Sequence, residues 1–340
     1  MPKPPKMADI AKAAGVSPMT VSRAFRRDAS VGEKTREKIL QIAEELGYVF
    51  DSTASNLRSQ RTGFVAVTIP SLNNANFADT VRGLNEALQS HDLQLLLGYT
   101  DYNVEAEERL VEQLLRRRPE AIVVTGGRHT ERCRRLLQNA GIPVVETWDI
   151  PEAPIGHAVG FSNADAMAQM VEHLHGSGAR RMAFVGGDDR GDTRGADRRR
   201  GFVAAARRLG VDHRLLALGP PPVSMREGCK AMAEILDDPD PVDAVICVSD
   251  LAAFGALSEC QRRNVRVPED IMIAGFGGFD IAEIAVPAFS TIDAHSFEIG
   301  MQAGTLLASL LRGGGDLDRG RVIQRIRPTL KISRSTAARG

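Results

Sequence analysis

The first fifty residues constrain the fold more than any other part of this 340-residue chain. The segment Ala8–Ala14 is rich in helix-forming residues, and Gly15 ends it. Ser17 can then cap a second helix that has Pro18 in its first turn, where the missing N–H costs no hydrogen bond. Two short helices joined by a turn that contains glycine are the signature of a helix-turn-helix. A third helix is predicted from Gly32 to Leu46, with apolar residues spaced to pack against the first two: Ile39, Leu40, Ile42, Ala43 and Leu46.

This motif and its charge predict binding to DNA. The second helix, Pro18–Phe25, would be the recognition helix, presenting Pro18, Met19, Ser22 and Arg23 to a major groove. Residues 1–38 contain nine Lys or Arg and four Asp or Glu, although the whole chain has 43 of each kind. A local excess of positive charge is typical of a surface that binds phosphates. An incidental surface hairpin would account for neither this excess nor the capped start of the second helix.

Several motifs, in order along the chain, carry a family resemblance. They are Asp9-Ile-Ala-x-x-Ala-Gly-Val-Ser-x-x-Thr-Val-Ser-Arg23, Thr35-Arg-Glu-Lys-Ile39, Leu46-Gly-Tyr48, Ala54-x-x-Leu-Arg58, Ser249-Asp-Leu-Ala-Ala-Phe-Gly-Ala256 and Val267-Pro-Glu-Asp270. With them the chain resembles the lac/gal repressor family. One departure is Arg26, because such repressors more often have a short polar residue after the recognition helix.

The resemblance implies further contacts with DNA. It adds Ser17, Thr20 and Tyr48 to the binding surface. It also implies that residues 51–62 form a hinge helix on the operator, with Ala54, Leu57 and Arg58 at the DNA. Leu57 would be a wedge that enters the minor groove and kinks the duplex.

Composition predicts a globular protein without a membrane span. The chain is 43% hydrophobic and 25% charged, and it has no long apolar run or signal peptide. The four cysteines show no CxxC pairing, so we expect reduced, structural thiols and a cytoplasmic protein. His173 and His175 lie two apart on a predicted helix and therefore point to different faces. We expect no metal site and no cofactor.

After Thr62, short apolar strand candidates alternate with amphipathic helices, ending in a strand predicted over Val322–Ile332. This alternation predicts an α/β fold with parallel sheets covered on both faces, in two doubly wound units. The resemblance implies a core like that of the periplasmic binding proteins, crossed three times by the chain near Asn163, Asp293 and Gly320. The expected domains are a helix-turn-helix domain over 1–50, the hinge over 51–62 and the core over 63–340. Within the core, lobe 1 covers about 63–162 and 294–320, and lobe 2 about 163–293 and 321–334.

Motifs for catalysis are missing from the sequence. The chain has no GxxxxGK[ST] phosphate loop and no complete GxGxxG after a strand. Gly275-Phe-Gly-Gly278 lacks the third glycine and a following helix start. A helix-turn-helix fused to a sugar-processing enzyme is the enzymatic alternative, but its acidic-glycine phosphate motifs are not found. We therefore predict no catalytic residues and no enzyme activity.

Ligands of doubly wound sheets bind at the carboxyl ends of the strands. The side chains predicted at these ends define an effector site: Asn76, Phe77, Arg128, His129, Glu146, Trp148, Arg194, Arg198, Asp250 and Asp280. Arg198 matches the effector-binding arginine of the family. The family's usual acid after Gly-Tyr/Phe is replaced by Gly277, and Asp280 is the candidate to take its place.

The chemistry of these residues predicts an acidic ligand. Arginine pairs with carboxylates through two hydrogen bonds, and the chain has one Trp and three Tyr for stacking on a neutral sugar. Within the family the chain looks most like the gluconate-utilisation repressors. The resemblance implies a repressor that binds a palindromic operator and is controlled by a sugar acid. A neutral sugar or a nucleobase is the alternative effector. We expect a homodimer, because the C-terminal residues show no leucine heptads.

Overall fold

The computed structural model describes residues 4–25, 31–50, 61–187, 192–219, 222–312 and 320–337. The chain divides into two compact units, Met1–Thr62 and Gly63–Gly340. The predicted hinge contacts Ala54, Leu57 and Arg58 lie outside the described residues, as does Arg26. In the described part of the chain, no helix is long and apolar enough to cross a membrane.

The first unit contains three helices, α1 (Met7–Ala14), α2 (Pro18–Ala24) and α3 (Glu33–Glu45). Gly15 ends α1 with a φ of 72°, a left-handed conformation that favours glycine. Side chains from all three helices form its small core: Ile10, Ala11, Ala14, Val21, Ala24, Ile39 and Ala43.

One prediction about α3 is wrong. Leu40 and Leu46 are 38% and 44% exposed, although their spacing suggested that they pack against the other helices. The buried stripe of α3 runs through Ile39 and Ala43, which lie four residues apart on one face of the helix. A helix on a protein surface buries one stripe of its side chains and exposes the rest, and Leu40 lies outside the buried stripe of α3.

The first lobe of the second unit contains a six-stranded parallel sheet. Its strands are β1 (Phe64–Ile69), β2 (Gln94–Tyr99), β3 (Ala121–Thr125), β4 (Val144–Asp149), β5 (His157–Phe161) and β11 (Ile323–Arg325). They are ordered β11-β5-β4-β3-β1-β2. In this register Val65 lies beside Leu95 on one side and Ala121 on the other. The helices of this lobe are α4 (Ala75–Gln89), α5 (Val104–Leu115), α6 (Glu131–Gln138) and α12 (Ser296–Arg312).

The second lobe contains a four-stranded parallel sheet and a short antiparallel pair. The sheet has β6 (Arg181–Gly186), β7 (Asp212–Ala217), β8 (Ala244–Cys247) and β9 (Met272–Ala274), in the order β7-β6-β8-β9. The pair is β10 (Thr291–Asp293) with β12 (Thr329–Lys331). The helices are α7 (Asn163–Gly176), α8 (Thr193–Leu209), α9 (Met225–Asp237), α10 (Asp250–Arg262) and α11 (Asp280–Ile284), followed by a 3₁₀ turn at Arg334–Thr336. The predicted α/β architecture of two parallel-sheet lobes is confirmed.

The last passage between the lobes differs from the prediction. Residues of β11 pair with β5 in the first sheet, whereas β12 pairs with β10 in the second lobe. The chain therefore crosses at residues 326–328 and not near Gly320. The single strand predicted over Val322–Ile332 is interrupted at Pro328, because proline has no N–H to donate to a neighbouring strand.

Candidate DNA-binding surface and inter-lobe cleft

Helix α2 presents a polar and exposed face to solvent. The Ser17 hydroxyl accepts a hydrogen bond from the Thr20 N–H at 3.2 Å, which fixes the start of the helix. Val21 and Ala24 are buried against the other helices. As a result the opposite side of α2 faces solvent. Its exposed residues are Ser17, Pro18, Met19 and Arg23, and Thr20 and Ser22 are half-buried.

Tyr48 lies at the edge of this unit and not on α2. Its ring is half-buried, 6.0 Å from the ring of Phe25, and its N–H donates to the carbonyl of Ala43. Packing therefore fixes the position of Tyr48. Its contact with DNA stays a prediction.

The strand orders place the cleft between the lobes. In each sheet the order reverses between the first and third strands of that lobe, at β1/β3 and at β6/β8. Loops leave such a point in opposite directions and open a crevice, the usual place of a ligand in this class of fold. The loops after β1, β3, β6 and β8, together with the helices that follow them, carry most of the predicted effector residues.

A buried chain of polar groups centres on Arg198. Its Nε donates to Asn163 Oδ1 at 2.9 Å, and Asn163 Nδ2 donates to Asp149 Oδ1 at 2.8 Å. The guanidinium also donates to the carbonyl of Val248 and lies 3.6 Å from the centre of the Phe276 ring. Burial lowers the pKa of Arg198 to about 10, an effect that Asp192 and Asp149 oppose. Arg198 thus remains cationic at neutral pH in a desolvated place.

Arg194 provides a second buried cation on the same helix. Its guanidinium lies 5.5 Å from the Phe77 ring, so α8 of the second lobe contacts α4 of the first. The nearest Asp192 oxygen is 3.8 Å away, which is longer than a hydrogen bond. Burial raises the pKa of the neighbouring Asp149, and Arg194 partly opposes that rise. The structure therefore brings the two predicted arginines together.

Arg128 forms an ion pair between the lobes. Its Nη2 lies 2.6 Å from Asp197 Oδ1, across the cleft on α8, and its side chain is 54% exposed. The sequence predicts that Arg128 pairs with a carboxylate of the ligand, but in the structure it already pairs with the carboxylate of Asp197. An exposed pair of this kind contributes at most about 1 kcal/mol, so a ligand could displace it.

His129 and Glu146 do not face the cleft, contrary to the prediction. Both side chains are fully buried, where His129 Nδ1 lies 2.7 Å from Glu107 Oε2 and Glu146 Oε2 accepts the N–H of Ile155. Burial opposes the protonated imidazole, but the Cys133, Glu107 and Glu146 side chains together raise the pKa of His129 to about 12. The loop after β3 turns this side chain towards α5, which the position of a residue at a strand end does not reveal.

Trp148 also departs from the prediction that it faces the cleft. Along β4, Val144 and Val145 alternate between the two hydrophobic clusters of the lobe. Regular alternation would place Trp148 on the same face of the sheet as Val144. Its φ of 75° interrupts the alternation, and Trp148 packs with Val145 on the opposite face. Its ring lies 5.4 Å from Phe77, its Nε1 donates to Thr80, and it is 1% exposed. Trp148 therefore lies beneath the cleft and not at its surface.

Asp250 positions a loop and has no solvent exposure. Its two oxygens accept hydrogen bonds from the Thr291 hydroxyl at 2.6 Å and the Phe279 N–H at 2.8 Å. Burial raises the pKa of Asp250 to about 6. Asp280, in contrast, is exposed at the start of α11. Of these two predicted effector residues, Asp250 is therefore buried and holds a loop in place, whereas Asp280 is exposed to solvent.

A cavity of about 620 Å³ opens between the lobes. The starts of α4 and α12 and the loop between β9 and α11 line it. The predicted residues Asn76 and Asp280 belong to its lining, and Ser296 donates a hydrogen bond to Asn76 Oδ1. Its acidic side chains are Asp79, Asp280, Asp293 and Glu298. Such a lining offers hydrogen-bond acceptors to the hydroxyl groups of a ligand.

Sequence reasoning missed three residues of the cleft. Asp149 and Asn163 complete the hydrogen-bonded chain of Arg198, and Tyr102 lies near Asp192 and Arg194. Burial, followed by the charge of Asp192, raises the pKa of Tyr102. Asp149 directly follows the strand predicted over Pro143–Trp148, and Asn163 directly follows the strand predicted over Ala158–Ser162, so the strand-end rule could have found both.

Known proteins resemble the chain along most of its length. Residues 6–51 match the model of bacterial regulatory proteins of the lacI family, and residues 171–336 match a periplasmic binding protein-like domain. The HTH-type transcriptional regulator GntR of Pseudomonas aeruginosa is 36% identical over 91% of this chain and 90% of that protein. The HTH-type transcriptional regulator IdnR of Escherichia coli is 33% identical over 90% of this chain and 92% of that protein.

A solved structure extends the likeness to three dimensions. The crystal structure of a LacI family transcriptional regulator from Silicibacter pomeroyi superposes with a TM-score of 0.91 at 31% identity, covering 98% of this chain and 100% of that one. The relatives are transcriptional regulators and not enzymes, which confirms the prediction that the chain is not an enzyme. The chain belongs to the lacI family of bacterial regulatory proteins and is a DNA-binding transcriptional repressor.

Proposed function

We propose that this repressor binds a palindromic operator as a homodimer and that a sugar acid, gluconate or a close relative, controls its affinity for the operator. The observation that carries the proposal is the pair of buried arginines, Arg194 and Arg198, in the cleft. Relatives named GntR and IdnR support the same class of effector. Operator contacts are proposed for the exposed face of α2 and for the hinge: Ser17, Pro18, Met19, Thr20, Ser22, Arg23, Tyr48, Ala54, Leu57 and Arg58.

The charges of the cleft favour a ligand that has a carboxylate at one end and hydroxyl groups at the other. A carboxylate would find two guanidinium groups, and hydrogen bonds between charged partners are roughly twice as strong as neutral ones. The 620 Å³ cavity, whose lining includes neither Arg194 nor Arg198, has acidic side chains that would accept hydrogen bonds from hydroxyl groups. A polyhydroxy acid supplies both ends. The acidic lining alone would also suit a neutral sugar, which is the second candidate.

Titration of the full-length protein tests the effector. We expect gluconate to bind in calorimetry and glucose to bind far more weakly, because glucose leaves the buried arginines without an anion. Arg198→Ala should weaken gluconate binding by roughly 30-fold or more, as expected for loss of a buried charged partner. Arg208→Ala, an exposed change on the same helix, should leave it unaltered.

Two results would contradict the sugar-acid proposal. One is glucose or ribose binding as tightly as gluconate, and the other is unaltered gluconate binding by a folded Arg198→Ala protein. Either would make a neutral sugar or a nucleobase the leading effector. Trp148 fluorescence can follow the same titrations, because its ring contacts Phe77, which lies under Arg194 at the cleft.

Exposed apolar residues on β2 support the homodimer. Within the described residues, β2 pairs with β1 alone and forms one edge of its sheet. Leu97 and Tyr99 on this edge are 39% and 60% exposed, and unpaired edges associate readily with another chain. We expect Tyr99→Asp to lower the sedimentation mass at micromolar concentration. Ile323→Asp, on the opposite edge, is the control, and a mass that falls equally in both variants would rule out a specific β2 interface.

A further inference from the structure

The charged side chains at the bottom of the cleft already balance one another. Two guanidinium groups, those of Arg194 and Arg198, are only 5% and 9% exposed. Two carboxylates act on them, those of Asp149 and Asp192, and Asp149 is itself only 9% exposed. We call these four side chains the cleft charge cluster. With both acids ionised, its net charge is zero.

Asp149 is held by neutral hydrogen-bond donors. Its Oδ1 accepts a hydrogen bond from Asn163 Nδ2 at 2.8 Å, and its Oδ2 accepts the Gly127 N–H at 3.2 Å. Among the described residues, no cationic side chain forms an ion pair with Asp149, whereas Asp192 lies 3.8 Å from Arg194 and is partly exposed. Asp149 is therefore the acid of the cleft charge cluster whose negative charge is least compensated.

The charges that act on Asp149 come from the elements packed around it. Burial raises the pKa of Asp149; on α8, Arg194 opposes this rise, Asp197 adds to it, and Arg198 opposes it. The loop after β3 contributes the cation of Arg128, but that side chain pairs with Asp197. The start of α7 contributes only a neutral amide. No cation beyond the two buried arginines is therefore left to compensate a further negative charge in this part of the described chain.

A ligand carboxylate would upset this balance. Placed on the two arginines, it adds one negative charge to a buried cluster whose net charge is zero. Buried charge is stable only when it is compensated, and when carboxylates share one site the pKa of one of them rises strongly. Asp149 is the acid that can take the proton, because it is buried, has no ion pair, and keeps a free lone pair on Oδ2.

We infer that a carboxylate effector enters the cleft together with one proton, which Asp149 binds. This inference rests on the proposed sugar-acid effector and adds the dependence of its binding on pH. The carboxyl group of a sugar acid is ionised above about pH 5, so the proton comes from the solvent. Effector affinity should fall as pH rises, by up to about tenfold per pH unit, wherever Asp149 is ionised in the free protein and protonated in the complex.

Calorimetry of the full-length protein counts this proton. Gluconate titrations between pH 6 and 8, in buffers that differ in their enthalpy of ionisation, give the number of protons taken up for each gluconate bound. We expect the number to approach one for the unaltered protein and to be close to zero for Asp149→Asn, whose amide does not titrate. Glu172→Gln, an exposed change on α7, should behave like the unaltered protein.

Asp250 is the competing acid, because it is also buried, has a pKa of about 6 and also responds to Arg198. Proton uptake that persists in a folded Asp149→Asn protein and disappears in Asp250→Asn would overturn the inference. If Asp149→Asn does not fold, uptake that persists in Asp250→Asn supports Asp149, and its loss overturns the inference. Gluconate binding without proton uptake would overturn this inference and leave the sugar-acid proposal intact. Absence of gluconate binding would overturn both.

Discussion

Asp250 shows how one buried carboxylate can hold a loop of the cleft. It accepts the Phe279 N–H and the Thr291 hydroxyl, and it thereby joins the start of α10 to the loop after β9 and to β10. A Cβ at Gly275 would lie 2.2 Å from its Oδ1, so the backbone packs closely around this group. Because the carboxylate is buried, its ionised form is disfavoured, and stability should depend on pH.

The pKa of Asp250 predicts the sign of that dependence. Burial raises it to about 6 from 3.8, so the folded state binds a proton more tightly than the unfolded state. Its contribution to stability is therefore greatest below pH 4 and falls by about 3 kcal/mol as pH rises through 6. Asp250→Asn removes this titration. Urea unfolding between pH 4 and 7.5 should show the variant gaining stability relative to the unaltered protein as pH rises; a constant difference would contradict the prediction.

Close packing between helices depends on glycine at several contacts. Helices α4 and α12 pack along each other, and a Cβ at Gly300 would lie 2.0 Å from the carbonyl oxygen of Thr80. A Cβ at Gly83 would meet the carbonyl of Phe297 in the same way, at 2.2 Å. The Thr80 hydroxyl also donates to the carbonyl of Ser296. This helix pair therefore holds two parts of the cavity lining in fixed positions, the starts of α4 and α12.

Substitution at this contact should be costly. Gly300→Ala forces the two backbones apart, and we expect a loss of about 2 kcal/mol or more in the free energy of unfolding. Gly176, the last residue of α7, is the control, because a Cβ there would meet no atom of the described residues within 4 Å. Gly176→Ala should be neutral or stabilising by up to about 1 kcal/mol. Equal thermal stability of the two variants would mean that α4 and α12 can move apart to admit the extra methyl group at little cost in free energy.

The order of helices and strands could be predicted from hydrophobic periodicity, because a buried parallel strand and an amphipathic helix have different patterns. The direction of single side chains could not. A φ of 75° turns Trp148 into the core, and the loop after β3 turns His129 inwards. Both outcomes depend on backbone geometry that a strand-end rule does not contain.

At the scale of the whole molecule, the effector and the operator must influence each other equally. If gluconate changes the operator affinity by some factor, the operator changes the gluconate affinity by the same factor. The effector can act only through a difference in its affinity for two arrangements of the lobes. The Arg128–Asp197 pair joins the two lobes directly, so a movement of one lobe relative to the other would change or break it.

The basic first unit predicts the character of operator binding. Its nine Lys or Arg among residues 1–38 should neutralise several phosphates per half-site, so log affinity should fall steeply with log salt concentration, by about 0.9 for each phosphate contacted. Arg23 is exposed on α2 next to the buried Ala24, where it can reach a base edge. Arg23→Ala should then cost roughly 1 to 3 kcal/mol and relax the preference at one base pair of each half-site. Gel shifts on operators changed at single positions measure this, with Arg208→Ala as the control. An equal loss of affinity for every operator sequence, with a shallower salt dependence, would instead show that Arg23 contacts a phosphate.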